Sequence, residues 1–184
     1  NAATNNHQKP SVMDNDYRHK LFEVNFHAAA DLIQQALPAM RERGYGRIIN
    51  ITSAGATVAE IPYSGASEVI QGLVMYGASK AALDRFTVGL ATELHGTGIH
   101  ANALLPSAVV VTGGSSPGAL AHLRKDPSAA ESLEMMAEAA FLLIAAPLTG
   151  LVIKSRRVLE MLQQPLHALN GKTVIGDAMT IPQF

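Results

Sequence analysis

Two short apolar runs, Gly46-Arg47-Ile48-Ile49-Asn50-Ile51-Thr52-Ser53 and Ile99 to Pro106, each follow a long stretch in which apolar residues recur every three or four positions. This alternation constrains the chain more than any other feature. The first stretch starts at Tyr17 and aligns Phe22, Phe26, Ala29, Ile33, Leu37 and Met40 on one helix face. A kink is expected at Pro38 and a stop at Gly44. The second runs from Met75 to Leu94, aligns Leu83, Phe86, Leu90 and Leu94, and ends at Gly96 to Gly98. The run after each helix suits a buried strand. Further along, the pattern predicts a helix from about Ser128 to Ala146, a strand in Gly150 to Ser155, and a short helix over Arg156 to Gln163. An edge strand is expected in Lys172-Thr173-Val174-Ile175. Helix and strand in turn predict an α/β fold with a parallel sheet and right-handed crossovers.

Composition narrows the classes of function. A chain of 184 residues, 48% hydrophobic and 16% charged, builds a substantial core and is not intrinsically disordered. With 14 basic and 15 acidic residues it carries no electrostatic footprint for nucleic acid or an anionic membrane. Absence of Cys removes disulfides, thiolate metal sites and Cys nucleophiles, and fits a cytoplasmic location. The seven His form no i, i+4 pair, so no zinc site is expected. The apolar stretch Phe141 to Ala146 is broken at Pro147, far short of a membrane span, and the polar first residues contain no signal peptide.

Chemistry concentrates in Tyr76-Gly77-Ala78-Ser79-Lys80, at the start of the second helix. A Tyr and a Lys four apart share a helix face. A neighbouring ammonium favours the phenolate and lowers a tyrosine from its ordinary value near 10 toward the range of general acid–base catalysis. Ser53 is predicted at the C-terminal end of a strand, where open α/β sheets bind their ligands, and its hydroxyl can hydrogen-bond a substrate oxygen there. Asn25 is a polar residue in an apolar helical stretch; buried, such an amide needs partners and can hold a water.

On these ordered motifs the chain resembles the short-chain dehydrogenase/reductase family, of the classical type. Asn1-Ala2-Ala3 is similar to the end of the family's Asn-Asn-Ala-Gly motif, with Ala3 in place of Gly. Asn25, Ser53, Tyr76 and Lys80 match the catalytic tetrad, and Pro106-Ser107 stands where the family has Pro-Gly. The resemblance covers Asn1 to about Ser155, residues 156–184 forming a C-terminal extension. It implies a Rossmann-like, doubly wound parallel sheet, incomplete here because the N-terminal βαβ half with its Gly-rich phosphate cradle is absent from this chain. Residues 1–184 are thus expected to be the C-terminal portion of one such domain in a longer protein.

The resemblance further implies hydride transfer between NAD or NADP and a carbonyl/alcohol substrate. Tyr76 would be the general acid or base, and Lys80 would lower its pKa and bind the nicotinamide ribose. Ser53 would orient the substrate oxygen, and Asn25 would hold a relay water. Asn1, Ala2, Tyr76, Lys80, Pro106, Val109 and Thr112 would line the cofactor. Ser107 to about Ala130 would form a flap hinged at Gly113-Gly114, its apolar content hinting at a hydrophobic substrate. The two long helices would pair with another subunit, giving a homodimer or homotetramer. Departures include 23 residues between Ser53 and Tyr76, so that Ala54 to Val74 reads as an insertion, and a Thr112 one position later than usual. Ser64 is an alternative hydroxyl without strand context, and Tyr63 lacks a Lys four residues on. Two rival readings remain. One is a truncated, inactive homologue with a structural or interaction role. The other is a sugar-nucleotide epimerase or dehydratase, which would need a larger C-terminal domain than the 104 residues after Lys80 allow.

Overall fold

The computed structural model describes residues 3–5, 7–57, 71–113, 115 and 117–177. Its elements run α1 (Asn15–Phe22), α2 (Ala28–Arg43), β1 (Gly46–Ile51), α3 (Val74–Glu93), β2 (Ile99–Leu105), β3 (Val109–Val110), α4 (Pro117–Lys125), β4 (Ala130–Glu131), α5 (Leu133–Ala145), β5 (Val152–Lys154), α6 (Ser155–Leu162), β6 (Pro165–His167) and β7 (Val174–Asp177). They divide into two compact units, one of Asn1–Ala103 with Leu148–Val152, the other of Leu104–Pro147 with Ile153–Phe184.

In the first unit the parallel sheet has the order β1-β2-β5. Ile48 on β1 and Ile99 and Ala101 on β2 bury one face against Ile33 of α2 and Leu90, Ala91 and Leu94 of α3, with Leu37, Met40 and Phe86 packed around them. These are the apolar positions whose helical period is visible in the sequence. Polar ties fix the layers. Asn50 Nδ2 on β1 donates to Thr87 Oγ1 on α3 at 2.9 Å. Asn102 on β2 donates to Leu148 O at 2.8 Å and accepts from Leu151 N at 3.1 Å, which aligns β5 beside it. Gly44 ends α2 at φ 61°, a left-handed conformation that a residue with a side chain adopts only at a cost.

Two expectations are corrected in this unit. The first helix is interrupted by a π turn, Glu23–His27, and α2 then carries Pro38 within it to Arg43. The interruption sits around Asn25, where the side chain binds other segments. β1 also stops at Ile51, so Ser53 lies two residues beyond the strand, at the head of the 3₁₀ turn Ala54–Ala56.

In the second unit Met135, Ala139, Leu142 and Leu143 of α5 are buried, as are Val158 and Leu159 of α6 and Leu166 of β6. β3 pairs in parallel with β4, and β6 pairs antiparallel with β7, which includes part of the expected edge strand. The third helix starts at Leu133, capped by Ser132 Oγ accepting from Met135 N. Four of the residues expected at its start, Ser128 to Glu131, lie in a 3₁₀ turn and β4 instead, because Pro127 opens a tight turn capped by Asp126. Among the described residues no helix is long and apolar enough to cross a membrane.

Candidate active site

Asn25, Ser53, Tyr76 and Lys80 all belong to the first unit. α3 begins at Val74, so Tyr76 and Lys80 occupy successive turns at its N-terminal end. Gly77 is what lets this end approach the turn after β1. A Cβ at Gly77 would lie 2.1 Å from the carbonyl oxygen of Gly55, closer than any side chain permits. The contact sets Ser53 beside Tyr76, where its hydroxyl favours the phenolate. Ser53 Oγ also accepts from Gly55 N at 3.1 Å, which fixes its rotamer.

Lys80 is 2% exposed. Its Nζ donates to the carbonyl of Ile51, the last residue of β1, at 2.9 Å, and stands 6.0 Å from the centre of the Tyr76 ring. Burial holds the ammonium below the ordinary lysine range, opposed by the nearby Asp84 carboxylate. Burial likewise pushes the Tyr76 phenol above its ordinary range, opposed by the Ser53 hydrogen bond. The net direction for the phenol is therefore upward, against the expected fall toward neutrality: desolvation outweighs the Ser53 hydroxyl, and Tyr76 is held protonated.

Asn25 is 1% exposed, and its amide is fully engaged. Oδ1 accepts from Thr4 N at 2.7 Å, while Nδ2 donates to Thr4 O at 3.0 Å and to Ser79 Oγ at 3.1 Å. Ser79 Oγ in turn donates to Tyr76 O at 2.7 Å. The side chain thus ties the N-terminal segment and the π turn to α3.

Residues that the sequence reading did not single out complete the cluster. Ser79 and Gly77 lie inside the Tyr-Lys motif itself. Thr52 precedes Ser53, and Asp84 follows Lys80 by one helical turn. Thr52 is buried and its hydroxyl neighbours the Asp84 carboxylate, yet Thr52 Oγ1 and Asp84 Oδ1 close no hydrogen bond of standard geometry.

The remaining expected cofactor residues are distributed differently. Asn1 and Ala2 lie outside the described residues, as do Tyr63, Ser64, Ser67 and Gly114. Pro106, Val109 and Thr112 belong to the second unit. There Val109 pairs with Ala130 across β3 and β4, and the exposed Thr112 donates its N–H to Ser115 Oγ at 2.8 Å. The turn between Pro106 and Val109 is held by Glu131. Its Oε2 accepts from Ser107 N at 2.6 Å and Ala108 N at 3.1 Å, and its Oε1 accepts from Ser155 Oγ at 2.6 Å.

Two hydroxyls and a buried lysine thus gather just beyond the end of β1 in a Rossmann-like α/β fold. Residues 1–117 match the family described as short chain dehydrogenase, and the chain belongs to that family. It is 34% identical over 89 residues to an NADP-dependent 3-hydroxy acid dehydrogenase of Escherichia coli K12, covering 48% of this chain and 32% of the relative. It is 39% identical over 93 residues to a ketoacyl reductase of Nostoc sp., covering 50% and 29%. Among solved structures it superposes on a gluconate 5-dehydrogenase from Burkholderia cenocepacia, in complex with NADP and tartrate, with a TM-score of 0.68 and 22% identity, over 84% of this chain and 60% of that one. A short chain dehydrogenase/reductase family protein gives a TM-score of 0.67 at 27% identity, over 84% and 62%. The chain thus spans about a third of these curated relatives and three fifths of the solved chains.

Proposed function

We propose that this chain carries the proton-transfer centre of an NAD(P)-dependent oxidoreductase acting on a carbonyl/alcohol substrate. The observation that carries the reading is the convergence of Ser53, Tyr76 and Lys80, with Asn25 tying the helices behind them. The donor set fits a nicotinamide nucleoside on chemical grounds: two hydroxyls suit a carbonyl oxygen, and a buried ammonium suits ribose hydroxyls. Lys80 and Tyr76 would hold that group. When bound, the nicotinamide supplies or accepts the hydride.

The chain's own residues account for the proton. Ser53 orients the substrate oxygen, its rotamer fixed by Gly55 N. Tyr76 donates its phenolic proton to the oxygen of the carbonyl being reduced, and takes it back in the oxidative direction. A phenol held protonated by burial is ready as the acid of the reductive direction. As negative charge develops on Tyr76, the Lys80 ammonium stabilises it electrostatically in a site where little water competes.

The relatives named for NADP make NADPH the first cofactor to try, and the 3-hydroxy acid and ketoacyl relatives make 3-oxo acids and their esters the first substrates. We assign self-association to the exposed faces of α2 and α3. A shallow apolar groove opens on α3, lined by Ala82, Phe86 and Gly89 with Phe26 of the π turn, flanked by Arg85 and Glu93. The test of the functional reading is oxidation of NADPH and NADH by the native protein containing this chain, across a panel of 3-oxo acids, ketones and aldehydes. Substrate-dependent consumption of either cofactor is expected; none across the panel would overturn the reading in favour of an inactive homologue.

A further inference from the structure

Burial works against the charge of Lys80. It is 2% exposed, and the one hydrogen bond described for its Nζ is to a neutral carbonyl, Ile51 O. A carbonyl orients an ammonium but contributes far less than a counter-charge to the cost of removing it from water. The acid that faces it from its own helix is Asp84, one turn along α3 on the same face. Asp84 is not placed there by solvation: Oδ1 is buried and closes no hydrogen bond, and the neighbouring hydroxyl on the adjacent strand end, Thr52 Oγ1, is buried and equally unengaged. A buried carboxylate oxygen and hydroxyl left in this condition need an explanation other than stability.

We propose that Asp84 is a positioning residue for the proposed reaction, the counter-charge that keeps Lys80 an ammonium beneath Tyr76, with the Thr52 hydroxyl steering the carboxylate. The inference rests on the reading of Tyr76 and Lys80 given above. The groups described as acting on Asp84 are Lys80 from its own helix and Thr52 from the segment after β1. Each charge acts on the other in the expected sense, Asp84 raising Lys80 and Lys80 lowering Asp84, each against burial. The ammonium donates to Ile51 O at 2.9 Å, and Asp84 Oδ1 closes no hydrogen bond with it.

The test reads Lys80 directly. Lysine side chains labelled with ¹³C at Cε are titrated by NMR in the full protein, with the Lys80 resonance assigned by its loss in Lys80→Met. In the native protein Lys80 should titrate below the exposed lysines. In Asp84→Asn it should titrate about one pH unit lower still, a tenfold change in the ratio of ammonium to amine. Asp84→Glu should restore most of the difference, and Thr52→Val should produce an intermediate shift. Where turnover is measurable, the alkaline limb of the kcat profile should move to lower pH by the same amount in Asp84→Asn, with KM nearly unchanged. A Lys80 titration identical in the native protein and Asp84→Asn would overturn the proposal whatever the activity. Loss of the NADPH reaction itself would instead strike the functional reading, so the two failures are distinct.

Discussion

The two units each contain a half-buried carboxylate beside serine or threonine hydroxyls, and the two are treated in opposite ways. Glu131 in the second unit is complete. Two backbone N–H groups and the Ser155 hydroxyl engage its two oxygens, and Ser107 Oγ closes the ring on Ser155 Oγ at 2.9 Å while accepting from Arg156 N at 3.1 Å. Asp84 in the first unit is incomplete, as is Thr52 beside it. Burial raises both carboxylates above their ordinary range. What differs is what opposes burial: hydrogen bonds alone at Glu131, but the Lys80 charge as well as Thr52 at Asp84. A network whose members are all satisfied holds a turn in one conformation; one with an unengaged oxygen next to a buried ammonium keeps electrostatic influence for another group.

Mutations should break this contrast in graded fashion. The largest effect belongs to Lys80→Met, which removes the ammonium under Tyr76 and should lower kcat by about a hundredfold or more in an NADPH-linked assay. The far-ultraviolet circular dichroism should stay unchanged. Gly77→Ala comes next. Its Cβ would collide with Gly55 O, so the Ala54–Ala56 turn must move away from α3, at a cost of about 1–3 kcal/mol by denaturant unfolding. Activity should fall as well, because Ser53 heads that turn. Glu131→Ala should cost about 2 kcal/mol in the same measurement, since Ser107 N and Ala108 N lose a charged acceptor.

The smallest effect is one of pH. Glu131 has a folded pKa raised above its ordinary 4.5, so the folded state binds its proton more readily than the unfolded chain. The contribution of Glu131 to stability is then fully present below the ordinary value and declines as pH rises through the raised one. Urea unfolding of the native protein and Glu131→Gln in parallel should show the difference between them moving against the native protein over that window. A difference independent of pH would mean that Glu131 titrates as an exposed carboxylate does.

Much of the first unit was legible because its signals are local. The apolar period of α2 and α3 and the β-branched run of β1 report burial directly, and the Tyr76–Lys80 spacing reports a shared helix face. What the sequence concealed depends on contacts distant along the chain. The π turn around Asn25 follows from bonds to Thr4 and Ser79, 21 and 54 residues away, and no propensity encodes them. Gly77 looks like a helix-weakening residue until the Gly55 carbonyl is found opposite its missing Cβ. The direction of the Tyr76 shift depends on how much desolvation the fold imposes, so a charge argument from spacing alone gave the wrong sign. Asp84 carried a signal that could have been read, an acid four residues after a lysine, but i, i+4 pairs on helices are ordinarily solvated. Glu131 gave no signal, because its partners at positions 107, 108 and 155 converge only in the folded unit.

The central claim is that the Tyr76 phenol moves the proton in a nicotinamide-dependent reaction, and replacing that one oxygen tests it most directly. Steady-state NADPH oxidation should be compared between the native protein containing this chain and Tyr76→Phe, with a 3-oxo acid as substrate and thermal stability checked for both. The account predicts a fall in kcat of about a hundredfold or more in Tyr76→Phe, with stability retained. Turnover by Tyr76→Phe at the native rate would contradict it.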